Sequence, residues 1–317
     1  MRALRFHRFG TVSSALVVEE IQAPTAGGGE LLVQVRAAAI NPSDVKNIAG
    51  VFSQTTLPRT PGRDFSGVVL SKGEDEGQSV WGTGPGLGMT RDGAHAEYIS
   101  VRKEFLAPKP EVLTFAEAAG VGVPFTTAFA ALVGAAQLKA GNTILIVGAR
   151  GAVGRAAVQI ANWKHAQVLA ADTSSDVVAG SRAIINTKKE DLAQKVRDLT
   201  DGSGVDIVFD TVGGAMFEPA LRSLRLGGRQ VAIASTGGTR VSFDLVDFYH
   251  NRSHLIGVDS NKFEASELRT LMLELNRGFD TGALKVGSYE VVPFDRAIAS
   301  YEKVASQRGT PKQILSF

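Results

Sequence analysis

The sequence predicts an α/β protein of two domains, one a partly β-barrel domain and the other a doubly wound domain on a parallel sheet. Three observations predict it. An apolar run of strand length breaks into glycines and then into a helical pattern over 142–161. From residue 142 to 259 buried apolar runs alternate with helical stretches. The first 120 residues read instead as mostly β segments, separated by turns rich in glycine and proline. At 317 residues the chain is long enough for two separate cores.

In the N-terminal part, residues 32–37 alternate, 65–70 form a strand with a small-residue start, and 74–79 form a polar loop before a short segment at 80–82. Thr114-Phe115-Ala116-Glu117 is a capping box that opens a helix. Pro124 is expected to interrupt that helix, with a second helix over 126–137. From Asn142 onward, 143–147, 167–171, 183–186, 205–210 and 229–234 are buried parallel-strand candidates, and 190–199 and 217–225 are helical. Past Asn261, residues 266–277 are amphipathic, with Leu268, Leu271, Met272 and Leu275 on one stripe and Gly278 as the stop. A strand at 289–292, a helix at 295–305 and a strand at 313–317 complete the chain. This tail is read as returning to the first domain, which gives domains at 1–122 with 260–317, and at 123–259.

Composition narrows the function. Thirty-four Lys and Arg against 32 Asp and Glu give a net charge of +2 with the signs interspersed, so no electrostatic case exists for nucleic acid or a membrane surface. No apolar run reaches the ~18 residues of a membrane span. The N-terminus, Met1 to Phe9, carries charges where a signal peptide would be apolar, so a cytoplasmic protein is expected. The absence of cysteine excludes disulfides, thiolate catalysis and every cysteine-based zinc or iron–sulfur site.

The glycine turn carries chemistry. From Ala149 it reads A-x-G-x-x-G, a variant of the dinucleotide fingerprint. Gly151 lets the backbone approach a pyrophosphate, Gly154 lets helix and strand pack closely, and the helix N-terminus offers unpaired N–H groups to the phosphates. Gly148, Ala149, Arg150, Gly151, Ala152, Val153 and Gly154 are the candidate phosphate-binding residues. Eighteen residues past Gly154, a second buried run ends in Asp172, where a ribose-binding carboxylate is expected.

With this turn in place, further segments resemble the medium-chain dehydrogenase/reductase superfamily, specifically its zinc-independent quinone oxidoreductase branch. They are A-A-I-N-P-S-D at 38–44, P-G-R-D-F-S-G-V-V at 61–69, D-G-A-H-A-E-Y at 92–98, T-T-A at 126–128, F-D-T-V-G-G at 209–214 and L-G-G at 226–228. The resemblance covers nearly the whole chain. It implies a GroES-like catalytic domain, a Rossmann domain, a homodimer, and hydride transfer from NADPH or NADH to a quinone or activated enone. A non-catalytic or regulatory dinucleotide-binding protein on the same fold, or an enoyl-thioester reductase, is the alternative. In the family's alcohol dehydrogenases a cysteine stands at the place of Asn41 and Gly-His-Glu at Gly62-Arg63-Asp64. An amide and a guanidinium replace thiolate and imidazole here, so no zinc is expected.

By the same match, Asn41 faces nicotinamide and substrate, or else stabilises an Asx-type turn before Pro42. Thr127 lies close to the nicotinamide, or else starts a helix. Phe52 stands where relatives often carry tyrosine and forms an apolar wall of the substrate cleft. Lys46 and His95 are the remaining candidate proton donors there, set against a solvated helix residue and a loop aromatic. Thr173, Val212, Ala234 and Ser235 complete the implied cofactor contacts. At the 2′ end the signals conflict. Asp172 accepts from ribose hydroxyls and repels a 2′-phosphate, which favours NADH. The family habit is NADPH, held by a lysine on the helix after the second strand and by a tyrosine. That helix is expected to be short here and Thr187 takes the tyrosine's place, while Arg150, Lys188, Lys189 and Arg308 can bring positive charge.

Overall fold

The computed structural model describes residues 1–73, 75–306 and 311–317. The chain divides into two compact units, Met1–Thr126 with Ser260–Phe317, and Thr127–Asp259. The first junction thus falls after Thr126, where the sequence reading set it after residue 122. The strands, in chain order, are β1 (Arg2–Phe6), β2 (Leu16–Glu20), β3 (Glu30–Ala39), β4 (Asp64–Val69), β5 (Ser79–Gly82), β6 (Tyr98–Arg102) and β7 (Leu106–Pro108) in the first unit. The second unit holds β8 (Thr143–Val147), β9 (Gln167–Asp172), β10 (Ala183–Asn186), β11 (Val205–Asp210), β12 (Leu224–Ala232) and β13 (His254–Gly257). The tail returns β14 (Tyr289–Pro293) and β15 (Lys312–Ser316) to the first unit.

The first unit is organised by β3, a strand of ten residues. One edge pairs with β4; the other is shared, with β6 alongside Glu30–Gln34 and β15 alongside Ala37–Ala39. Its inner residues Val33, Val35, Ala37 and Ala39 are buried, and the alanines admit Ala119 and Ile314 against them. Large side chains at 37 and 39 would hold those neighbours off, so small residues here let the tail strand seat. Seating continues past the ladder, because Ile40 N donates to Gln313 O at 3.0 Å. The tail is thereby fixed beside residue 41.

The second unit is a parallel sheet of order β10-β9-β8-β11-β12-β13. Leu145, Val147, Leu169, Ile185, Val208 and Leu221 form its core, each apolar side chain contributing about 1.5–3 kcal/mol on burial. Strand order reverses between β8 and β11, where Val147 lies beside Asp210. In open α/β sheets a crevice opens at such a reversal, beyond the carboxyl ends of the strands.

Several expectations are corrected. Pro124 does not end its helix: Phe115–Phe129 runs through it and continues as a π-helical stretch, Ala130–Ala135. The donor next to the break is satisfied from 59 residues away in the chain, because Val123 N–H turns to the carboxylate of Asp64 at 2.9 Å. The capping box holds, Thr114 N to Glu117 Oε2 at 2.9 Å and Glu117 N back to Thr114 Oγ1 at 3.2 Å. By length and composition this helix, Phe115–Ala135, could cross a bilayer, yet 72% of its most apolar stretch is buried in the protein. Gly278 does not stop the amphipathic helix, which spans Ala265–Asp280. Phe279 stacks edge-on against Phe125 at 5.0 Å and keeps the last turn docked, and Gly282, at φ +72°, makes the exit. The short helix expected between β9 and β10 is absent, since 173–182 is irregular.

Candidate functional site

At the carboxyl end of β8 the chain turns at Gly148, whose φ is +78° and where a β-carbon would lie 2.3 Å from Thr211 Oγ1. At Gly154 a β-carbon would lie 2.2 Å from Gly148 O, so close packing of the helix Ala152–Trp163 on β8 requires glycine there. Gly151 differs. Its φ is −67° and the nearest atom to a β-carbon is Gly148 O at 3.3 Å, so the fold places no comparable demand on it. Gly151 is the N-cap and has no side chain to satisfy the first-turn N–H groups of Ala152, Val153 and Gly154.

Other loops come to the same edge. Asp210 Oδ1 accepts from Val212 N at 2.9 Å and Gly213 N at 2.8 Å, and Gly213 packs so tightly on Ala234 that a β-carbon would lie 2.7 Å from its carbonyl oxygen. Val212, Ala234 and Ser235 are thereby brought to the carboxyl ends of β11 and β12. Asp172, ending β9, accepts from Arg150 N at 3.0 Å and Thr173 N at 2.8 Å. The Arg150 guanidinium is paired with Asp176, and Lys188 and Lys189 are exposed. Thr127 is buried inside the helix, which corrects the idea that Thr126-Thr127 starts one, and its hydroxyl has no partner among the described residues. Neighbouring Thr126 spends its own on Gly122 O at 2.9 Å. An uncapped helix turn, a carboxylate at the end of the next strand and an orphaned buried hydroxyl fit the pyrophosphate, ribose and amide of a dinucleotide.

In the first unit, Asn41 precedes Pro42 in extended conformation (φ −103°, ψ 151°) and is the N-cap of the helix Pro42–Ile48. Its backbone N–H donates to Asp44 Oδ2 at 2.7 Å. Its side-chain amide bridges opposite charges: Nδ2 donates to Asp64 Oδ2 at 2.9 Å, and Oδ1 accepts from Lys312 Nζ at 2.5 Å. Lys312 Nζ stands 3.9 Å from Asp64 Oδ2. Asn41, Asp44 and Asp64 are buried, and the Lys312 side chain is 13% exposed. Burial pushes the Asp44 carboxyl up to about 7, the Asn41 N–H opposing and Asp64 adding to the shift. Burial also lowers the Lys312 pKa against the pull of Asp64 and Asp44. Arg63 is buried and its guanidinium donates to Ser260 O at 3.2 Å.

His95 is not a cleft acid. It is fully buried, with Nε2 3.2 Å from Ala39 O and Nδ1 2.7 Å from Tyr301 Oη. A carbonyl acceptor assigns the proton to Nε2, so Nδ1 accepts from the tyrosine hydroxyl. Burial drives its pKa down to about 4, leaving a neutral bridge between β3 and the helix Ala297–Ser306. Lys46 is exposed on the helix Pro42–Ile48, and Phe52 is half-buried in the following loop. Arg308 lies outside the described residues. Among the described residues no group of three or more His, Cys, Asp or Glu is placed to hold a metal ion. Sequence reading gave Lys312 and Tyr301 no role, quoted Asp44 only within the 38–44 segment, and weighed Asp64 only as a zinc position. The available signals were a charged residue beside each buried segment, at 44, 64 and 312, which apolar periodicity passes over.

Residues 27–111 match the family model of the alcohol dehydrogenase GroES-like domain, and 152–277 that of the zinc-binding dehydrogenases. A zinc-type alcohol dehydrogenase-like protein of Schizosaccharomyces pombe is 36% identical over 301 residues, covering 92% of this chain and 90% of its own. The human quinone oxidoreductase is 27% identical over 322 residues, covering 99% and 97%. Among solved structures, an NAD-dependent alcohol dehydrogenase superposes with a TM-score of 0.90 at 28% identity over 100% of both chains.

Proposed function

The chain belongs to the medium-chain dehydrogenase/reductase superfamily, in its quinone oxidoreductase branch, and on that premise we propose a zinc-independent reductase that moves hydride from NADH to a quinone or conjugated enone. The observation that carries the reading is the bare first turn of the helix Ala152–Trp163 above Gly151, whose backbone conformation does not itself call for glycine. Ala152, Val153 and Gly154 N–H would hold the pyrophosphate, Asp172 the ribose hydroxyls, and the unpartnered Thr127 hydroxyl the carboxamide. The bound dinucleotide supplies the hydride. Asn41 then supplies an N–H to the acceptor oxygen that gains charge, a contribution worth ~3 kcal/mol in well-placed cases. No Lewis acid is invoked: Arg63, fixed on Ser260, has no lone pair to offer a metal, and quinones and enones already give stabilised anions.

NADH is preferred in this reading because the Asp172 carboxylate ends β9 where it would accept from ribose hydroxyls and repel a 2′-phosphate, against which stand only the exposed Lys188 and Lys189 among the described candidate cations. Arg150 is paired with Asp176, and the segment that would carry a phosphate-binding lysine on a helix has no helix. The test is steady-state oxidation of NADH and of NADPH against a panel of quinones and enones. Turnover with at least one acceptor, faster with NADH, is expected; dinucleotide binding without turnover on any acceptor would favour a regulatory protein.

A further inference from the structure

We propose that Lys312 is a positioning residue for this reduction: its ammonium holds Asn41 Oδ1 so that the amide offers the acceptor oxygen an N–H and never a carbonyl. The inference rests on the reading of Asn41 as the donor to the acceptor.

An asparagine amide is nearly symmetric in shape, so its sense is set by its neighbours. Here both neighbours demand the same sense. An ammonium has only donors and faces Oδ1; an ionised carboxylate has only acceptors and faces Nδ2. Flipping the amide would set NH2 against NH3⁺ and C=O against a carboxylate in a buried place, two mismatches at once. Nδ2 carries two hydrogens and Asp64 takes one, which leaves one N–H for a ligand. A cation on Oδ1 also draws electron density from the amide nitrogen and strengthens that remaining donor.

Both clamping groups are themselves fixed from the backbone. Asp64 begins β4 and also accepts Val123 N–H at 2.9 Å. Lys312 begins β15, which pairs Ile314 with Ala39 and adds Ile40 N to Gln313 O, so the tail strand sets the ammonium beside Asn41. A clamp of this polarity selects acceptors that develop negative charge on oxygen and rejects ligands that present a donor at that point.

The test is a double-mutant cycle on turnover with NADH and the best acceptor of the panel, using Asn41→Ala, Lys312→Met and the double variant. Lys312→Met should lower kcat about tenfold or more with dinucleotide affinity and acceptor KM little changed, Lys312→Arg should restore most of it, and in the Asn41→Ala background Lys312→Met should change kcat by less than about twofold. An equal loss in both backgrounds, or no loss from Lys312→Met while Asn41→Ala is slow, overturns the role of Lys312 and leaves the Asn41 reading standing. Full activity of Asn41→Ala overturns both. Should Lys312→Met fail to fold, Asn41→Asp decides: it keeps an oxygen for Lys312 but has no N–H, so it should be as slow as Asn41→Ala, and an active Asn41→Asp overturns the proposal.

Discussion

The imidazole of His95 lies directly over Gly62, where a β-carbon would come within 2.4 Å of the ring and the backbone holds φ at +101°. The ring cannot retreat cheaply, because Ala39 O and Tyr301 Oη hold its two nitrogens. Gly62→Ala combines a left-handed backbone with an overfilled contact and is expected to cost about 2–4 kcal/mol. Thermal unfolding should show a Tm lowered by several degrees; an unchanged Tm would mean that the ring moves freely.

Asp44 governs a pH dependence of stability. Its carboxyl is pushed up to about 7, chiefly by burial and then by Asp64, while Asn41 N–H, Arg63 and Lys312 act the other way. A raised acid binds more protons folded than unfolded, so its contribution is complete below the unfolded value near 4 and is lost as pH rises to about 7. His95, lowered to about 4, works in the opposite direction between about 4 and 6.5. The readout is therefore a difference: relative to wild type, Asp44→Asn should gain stability as pH rises from 4 to 7 in denaturant titrations. A constant difference across that range would remove Asp44 from the account.

Gly151 and Gly154 should separate binding from folding. Gly151→Val places a side chain in the pyrophosphate's space, with its β-carbon in a tight 3.3 Å contact to Gly148 O, so calorimetry should find no dinucleotide binding and melting a modestly lowered Tm. Gly154→Val drives a side chain into Gly148 O and should destabilise the protein itself. Dinucleotide binding by Gly151→Val would place the cofactor elsewhere.

Cofactor preference should follow Asp172. Removing the carboxylate with Asp172→Ser relieves repulsion of a 2′-phosphate and loses a ribose acceptor, so the NADPH-to-NADH ratio of kcat/KM should rise about tenfold or more. An unchanged ratio would move discrimination to another residue.

What the sequence discloses and what it hides divide along sequence separation. The glycine turn is legible because its job is backbone conformation and close approach, and the parallel strands because full burial leaves continuous apolar runs. Pro124 misleads because the rescue of its helix comes from Asp64, outside any local window. Gly278 misleads because Phe279 stacks on Phe125 across the chain. The polar clusters are the least visible: Lys312 and Asn41 are 271 residues apart, and Tyr301 and His95 are 206 apart. No periodicity reports such pairs, and a histidine in a loop-like stretch reads as accessible until its two partners are in place.

The central claim is direct, metal-free hydride transfer to a conjugated acceptor. Chelator-treated protein given NADH deuterated at the transferring C4 position and an enone substrate tests it most directly, by mass spectrometry of the product. The account predicts a product carrying one deuterium at carbon, at a rate unaffected by the chelator. Product without deuterium, or activity that disappears with the chelator and returns with zinc, would contradict it.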